Sequence, residues 1–312
     1  MSFLSLLFAL LIEQARPLNA NNWVHGWTRA WVTWVQRHLD TGESGHAWFA
    51  WVVVVLLPAV VSAAVHWALL LWLGWIAAVV WNIAVLYVTL GFRQFSHKFT
   101  DIREALDAAD EDAARRLLAQ WMRIDASDLP RSEIVRQVIS HSVVSAHRYV
   151  FGVFAWYSLL SGLGFGPAGA VLYRLAEYSK VRVQRSIGST RTLFSAALRR
   201  CVAQAWALID WLPARLTALV FAFVGSFEEA IERWRTFEAA HPGDNDGILL
   251  AATGGAVNVQ LIAHDPADAA STAQPAHLRA VVGLVWRTVV MWMVILALLS
   301  IRLLKSGYRL RH

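Results

Sequence analysis

The sequence predicts an all-α, polytopic membrane protein with about four to five spans, a re-entrant hairpin and two helical soluble segments. Three observations predict it. Of the 312 residues 57% are hydrophobic and only 16% charged, with mean hydropathy +0.45, against about 25% charged in an average soluble domain. Residues 47–92 contain no Asp, Glu, Lys or Arg, a run about twice the ~20 residues that cross a bilayer as helix. Trp23, Trp27, Trp31 and Trp34 recur at helical spacing on one face, as in a helix lying at the membrane interface. A net charge of +6 is then explained by anionic lipid and the positive-inside rule, so no nucleic-acid partner is expected and the lipid bilayer is. The lone Cys201 excludes an intrachain disulfide framework.

Residues 1–46 read as an N-terminal half-helix and the interfacial tryptophan helix. Met1–Ile12 is apolar, but no basic stretch opens it and no small-residue cleavage site precedes Glu13, so it is expected to pack on the bundle rather than be removed. Residues 47–92 form a transmembrane hairpin, with spans expected at Ala47–Val65 and Trp67–Gly91 and Pro58 tolerated as a kink. Residues 93–148 are a soluble helical segment. In it Ile102, Leu106, Ala109, Ala113, Leu117 and Trp121 form an apolar stripe, Asp125–Pro130 ends that helix, and a second begins with Asp128 or Ser132 as its cap.

Residues 149–227 are read as membrane-embedded. The centre of Tyr149–Tyr173, Ser161–Gly169, holds four glycines and Pro167, which break a helix more readily than they continue one. A re-entrant hairpin is expected there. Nine Lys/Arg in Arg93–Arg148 and six in Glu177–Arg200, against a single acid in the latter, favour the cytoplasm for both stretches, and re-entry permits that. Residues 228–280 form a second soluble segment, rich in Gly, Ala and Asp. An amphipathic helix carrying Phe227, Ala230, Ile231 and Trp234 leads into it, and a linker at Asp265–Pro275 closes it. Residues 281–304 are the C-terminal transmembrane helix.

Charge inside the apolar run from Cys201 to Phe227 marks the candidate site. Residues 208–217 place Asp210, Pro213 and Arg215 there, and in hydrocarbon an uncompensated Asp or Arg costs roughly 2.5–3.5 kcal/mol. Three readings of Arg215 follow: it binds an anionic ligand, it pairs with Asp210 or Glu177, or it snorkels to the interface. Asp210 and Arg215 are five apart and do not share a face of an unbroken helix. If Asp210 instead caps a helix starting near Trp211, that helix ends near Gly225 after roughly 22 Å. Other signals are weak. His141 and His147 lack metal-ligand spacing, so no metal site is expected. Gly162, Gly164 and Gly166 sit in an apolar run rather than after a strand, and Arg174 pairs with Glu177.

At this point the sequence meets a family. Trp211-Leu-Pro-Ala-Arg-Leu-Thr217 resembles the "NWLPARLT" element of the CobD/CbiB membrane proteins, which make adenosylcobinamide phosphate. Asn245–Leu261 is similar to that family's "NAGWPEAAMAGALGVRL" loop. Residues 105–136, with Asp125, Ser127, Leu129 and Glu133-Ile-Val-Arg136, resemble its soluble helical segment. Leu4–Arg16, the tryptophan stretch, Arg148, Trp156 and Phe165-Gly166-Pro167 resemble the AmpE-like branch, a four-span inner-membrane relative linked to β-lactamase induction.

The resemblance also exposes departures. Ser140, Val144, Ser145 and Arg148 stand where the synthases carry Glu, Glu, Asn and Asp. Lys180 stands for an Asp, Trp206 and Ala207 for an Asp pair, and Asp210 for an Asn. A ligase that joins an amine to a carboxylate at the expense of a nucleoside triphosphate uses carboxylates to hold Mg²⁺. The expectation is therefore an inner-membrane protein with degenerate catalytic carboxylates and an AmpE-like regulatory or ligand-binding role, without a cofactor. Arg215, Asp210, Thr217 and Asn245 would bind an anionic or corrinoid-like small ligand, and a membrane protein is a candidate partner. The alternative is an adenosylcobinamide-phosphate synthase, an amide ligase that joins aminopropanol phosphate to cobyric acid and uses Mg-ATP.

Overall fold

The computed structural model describes residues 2–16, 23–187, 194–262 and 273–309, and these are helical with no strand among them. In chain order the helices are α1 (Ser2–Ala15), α2 (Trp23–Leu39), α3 (Ser44–Trp72), α4 (Trp75–Thr89), α5 (Phe92–Asp107), α6 (Glu111–Met122) and α7 (Arg131–Ala146). A π-helical turn at His147–Phe151 follows, then α8 (Gly152–Gly162), α9 (Ala168–Ile187), α10 (Ala196–Val224), α11 (Phe227–Ala240), α12 (Asn245–Ala256) and α13 (Pro275–Arg309). Three of these helices are long and apolar enough to cross a membrane: α3, α10 and the Pro275–Ser300 part of α13. The helices α1 and α4 are apolar but shorter. The chain divides into two compact units, one of residues 1–91, 148–213 and 295–312, the other of residues 92–147 and 214–294.

In the first unit α3 runs 29 residues through Pro58 without ending. The hairpin turn falls at Leu73–Gly74, not beside His66 as the sequence suggested. The reason is local: no residue near His66 breaks a helix, whereas Gly74 takes φ +85, a region only glycine enters freely. The break expected within Ser161–Gly169 is present, with Gly164 (φ +90) and Gly166 (φ +55) turning the chain between α8 and α9. These two helices pack closely because their contact residues are small. A Cβ on Gly169 would lie 2.0 Å from the Trp156 carbonyl oxygen, and one on Gly152 2.0 Å from the Tyr173 ring. The helix α2 leaves Trp23 and Trp27 80% and 70% exposed, as an interfacial helix does, and Arg182 of α9 ties it down by donating to Thr33 Oγ1 at 2.7 Å.

The helix α10 corrects a second expectation. Asp210 caps nothing, because the helix already starts at Ala196, where the Leu198 amide donates to Ser195 Oγ at 3.0 Å. Its 29 residues make about 43 Å at 1.5 Å each, enough to span. Pro213 lacks the amide that would bond the carbonyl of Ile209 one turn back. That carbonyl is not left open. Trp156 Nε1 of α8 donates to it at 3.0 Å, so a side chain supplies the bond that the ring removed.

In the second unit α5, α6 and α7 enclose a core of Ile102, Leu106, Leu118, Ile134 and Val138, all fully buried. The single stripe read from Ile102 to Trp121 is two helices. Ala109 takes φ +59, and Asp110 starts α6 by accepting from the Ala113 amide at 2.9 Å, the ordinary work of an N-cap carboxylate. Neither Asp128 nor Ser132 caps α7. Pro130, extended at φ −68 and ψ 156, occupies that position, and Asp125 turns inward on Ser127, accepting from its hydroxyl at 2.7 Å. The Gly/Ala segment read as a loop is also helical. Asp244 caps α12 through the Gly247 amide at 3.0 Å, and Gly255 lets α12 approach α11 so closely that a Cβ would sit 2.5 Å from Ala230 Cα. Ala218 of α10, Phe237, Ile248, Ala251 and Ala252 form the core of that contact. The linker expected at Asp265–Pro275 falls largely outside the described residues.

Candidate functional site

The charges of α10 build two separate clusters, one in each unit. In the first unit Asp210 is fully buried, and the Tyr173 hydroxyl donates to its Oδ1 at 2.7 Å. The Tyr173 ring lies 5.4 Å from that of Trp206, one turn earlier on α10. Two cations attend the same indole: Lys180 Nζ at 5.1 Å and the Arg148 guanidinium at 5.8 Å from its centroid. A buried carboxylate is tolerated where a phenol donates to it and cations stand nearby, which is the arrangement here. Arg174 and Glu177 pair as the spacing predicted, at 3.1 Å, and Arg174 also lies over the Tyr149 ring at 4.5 Å.

In the second unit Arg215 forms an ion pair with Glu238 of α11 through Nη2, and its Nη1 donates to Asn245 Oδ1 at 3.2 Å. Trp234 Nε1 donates to the other Glu238 oxygen at 2.8 Å. Helical spacing brings Trp234 and Glu238 to one face of α11. The Arg215 side chain is 16% exposed and that of Glu238 37%, so the pair meets solvent from the carboxylate side. Thr217 is fully buried, and its hydroxyl lies 3.0 Å from His147 Nδ1. His141 packs edge-on against Trp121. Beside these residues Arg136 is held by Glu133, which accepts from its Nε at 2.7 Å, and Arg136 Nη1 donates to the Leu261 carbonyl at 2.9 Å. The Arg136 guanidinium holds the Glu133 carboxyl below its ordinary range, and Glu133 in turn raises Arg136.

Of the four residues singled out from sequence, the structure joins Arg215 and Asn245 directly. It gives Thr217 a different partner and assigns Asp210 to the other cluster. Arg215 pairs with Glu238, a partner that the sequence did not nominate. Five positions on an unbroken helix turn a side chain about 140° away, and Glu238 reaches Arg215 instead. Glu238, Trp234 and Tyr173 were not foreseen. The only signal for Glu238 was its place on the amphipathic helix beside the Asn245 segment. No group of three or more His, Cys, Asp or Glu that could hold a metal exists among the described residues. Of the carboxylates near Arg215, Glu238 is engaged by Arg215 and Trp234, and Asp244 by the start of α12.

The family model for CobD/Cbib protein matches residues 6–267. Over 323 aligned residues the chain is 27% identical to the cobalamin biosynthesis protein CobD of Stutzerimonas stutzeri, which covers 94% of this chain and 96% of that protein. It is 28% identical over 185 residues to CobD of Chromobacterium violaceum, 57% of this chain and 54% of that one. With CobD of Leptospira interrogans it shares 26% identity over 200 residues, 61% of this chain and 58% of the relative. No solved structure matches this chain. These relatives correct the regulatory expectation, because proteins that match along the chain carry the name of a biosynthetic protein and none of a signalling one. The positions that the resemblance marked, Arg148, Lys180 and Trp206, do meet around one indole, with Tyr173 linking them to Asp210. With its helical membrane architecture, its retained Pro213–Arg215–Thr217 element and a family match spanning most of its length, the chain belongs to the CobD/CbiB family.

Proposed function

We propose that the protein is a membrane-embedded synthase of cobalamin biosynthesis that joins aminopropanol phosphate to cobyric acid. The observation that carries this reading is the alignment with a CobD protein over 94% of the chain and 96% of that relative. The reaction joins an amine to a carboxylate with net loss of water, coupled to hydrolysis of a nucleoside triphosphate. Each of the three reactants carries a carboxylate or phosphate group. Arg215 is suited to them, since a guanidinium binds phosphate and carboxylate through paired donors. Glu238 holds Arg215 ready, and an incoming phosphate competes with that half-exposed carboxylate for the same donors. Asn245 fixes the guanidinium from its other edge. Mg²⁺ would arrive with the nucleotide.

The same reading puts the protein in a bacterial inner membrane, with Arg93–Arg148 and Glu177–Arg200 on the cytoplasmic side by their excess of Lys and Arg and re-entry of Tyr149–Tyr173 allowing it. Purified protein in nanodiscs, supplied with labelled cobyric acid, aminopropanol phosphate and Mg-ATP, is expected to form the amide. Arg215→Ala is expected to lower turnover about 100-fold, the scale of a lost charged contact to a reacting anion. Failure of the wild-type chain both to form product and to restore cobalamin synthesis in a strain lacking its own synthase would overturn the proposal.

A further inference from the structure

The helix α2 turns its tryptophans away from the bundle. At about 100° per residue Trp23, Trp27 and Trp34 fall within about 40° of one another. All three are exposed, while Val32 and Val35 on the far side of the helix are buried. This orientation is fixed from within. Arg182 of α9, which holds Thr33, also donates Nη1 to the Tyr178 hydroxyl at 3.4 Å. Asp40, directly after α2, accepts from the Ser195 amide at 2.9 Å. The helix carries charge of one sign: Arg29 and Arg37 are exposed on the flank of the tryptophan strip, and residues 14–39 contain no Asp or Glu.

Position in the chain limits what covers this strip. Only residues 40–43 join α2 to α3, and four residues reach at most about 14 Å. The helix α2 therefore lies close to one end of a helix long and apolar enough to cross a membrane. Trp48 and Phe49, in the first two turns of α3, are exposed as well, so the aromatic belt continues onto that end of the span. A second copy of the chain is a poor cover, because a twofold contact sets Arg29 and Arg37 against their own copies with no acid on the helix to balance them. A zwitterionic headgroup offers the two guanidinium groups no net charge, and an anionic one does. We infer that α2 is a binding surface for anionic phospholipid, with Trp23, Trp27 and Trp34 at the boundary of headgroup and acyl chain and Arg29 and Arg37 on the phosphodiester groups. It uses no residue of the Arg215 and Asp210 clusters and does not depend on the synthase reading.

Electron spin resonance of spin-labelled lipids tests this in the full chain, reconstituted in phosphatidylcholine liposomes. The wild-type protein is expected to retain labelled phosphatidylglycerol in preference to labelled phosphatidylcholine. Arg29→Gln with Arg37→Gln is expected to lower that preference about five-fold or more, the effect of one or two arginines at an anionic surface. Both side chains are exposed, so the double variant should keep the wild-type Tm. Added salt should weaken the preference more in the wild type than in the variant. A wild-type chain that does not distinguish the two lipids, or a double variant that distinguishes them as well as the wild type, overturns the proposal. So does cross-linking that finds a dimer in these liposomes which Trp27→Ser dissolves, because a second copy of the chain then covers the strip.

Discussion

Asp210 and Arg215 stand five residues apart on α10, yet one is sealed and the other reachable. Asp210 is fully buried, with a phenol donating to it and two cations over the neighbouring indole. Arg215 is held by a carboxylate that is 37% exposed and an amide at the head of α12. The contrast separates two uses of charge in an apolar helix. In the sealed cluster each group is there to satisfy another, and the stake is stability. In the reachable cluster the carboxylate partner meets solvent, and under the proposed function the stake is binding.

Four substitutions break or sharpen that contrast. Asp210→Leu strands the Tyr173 hydroxyl and the two cations, and is expected to cost about 3–5 kcal/mol, the scale for removing one partner from a buried charged pair. Denaturation in mixed micelles measures it. Trp156→Phe leaves the Ile209 carbonyl open at Pro213 and should cost about 1–3 kcal/mol by the same measurement; a loss under about 0.5 kcal/mol would mean that the helix repairs the gap by itself. Glu238→Gln removes the competing charge while keeping an acceptor for Arg215. It is expected to tighten inorganic phosphate binding about two- to five-fold, the worth of a half-exposed pair, as read by calorimetry.

The smallest effect concerns pH. Because Arg136 depresses the Glu133 carboxyl in the folded state, the pair stabilises the second unit above the unfolded carboxylate value of about 4.3. That contribution fades as pH falls through the depressed folded value. Thermal scans from pH 7 to pH 3 should show the loss in the wild-type chain and a flatter profile in Glu133→Gln. An equal slope in both would remove Glu133 from the account.

Much of the architecture was legible because membrane helices announce themselves by length and apolarity. The apolar 47–92 run, the break between α8 and α9, and the helical spacing of Trp23, Trp27, Trp31 and Trp34 needed no tertiary information. What escaped depended on partners distant in sequence. The continuity of α10 was hidden because the side chain that satisfies the Pro213 gap comes from Trp156, 53 residues from Ile209. Glu238 could not be matched to Arg215, 23 residues away, until α11 was seen folded against α10. The hairpin turn was placed too early because the run is apolar on both sides of His66 and of Gly74, and the weight of that single glycine shows only in its backbone angle. The functional reading went astray by weighting substitutions at Arg148, Lys180 and Trp206 above similarity spread along the whole chain.

The bond from Trp156 to Ile209 also has a bearing on how the protein is made. Synthesis runs from the N-terminus, so α8 is complete before the proline-bearing segment of α10 emerges. When that segment enters the bilayer, the donor for its missing rung is already in place. A permuted chain in which α10 is made first would expose a bare carbonyl to lipid until α8 arrived, so the order of the segments is itself part of what allows a proline in the middle of this helix.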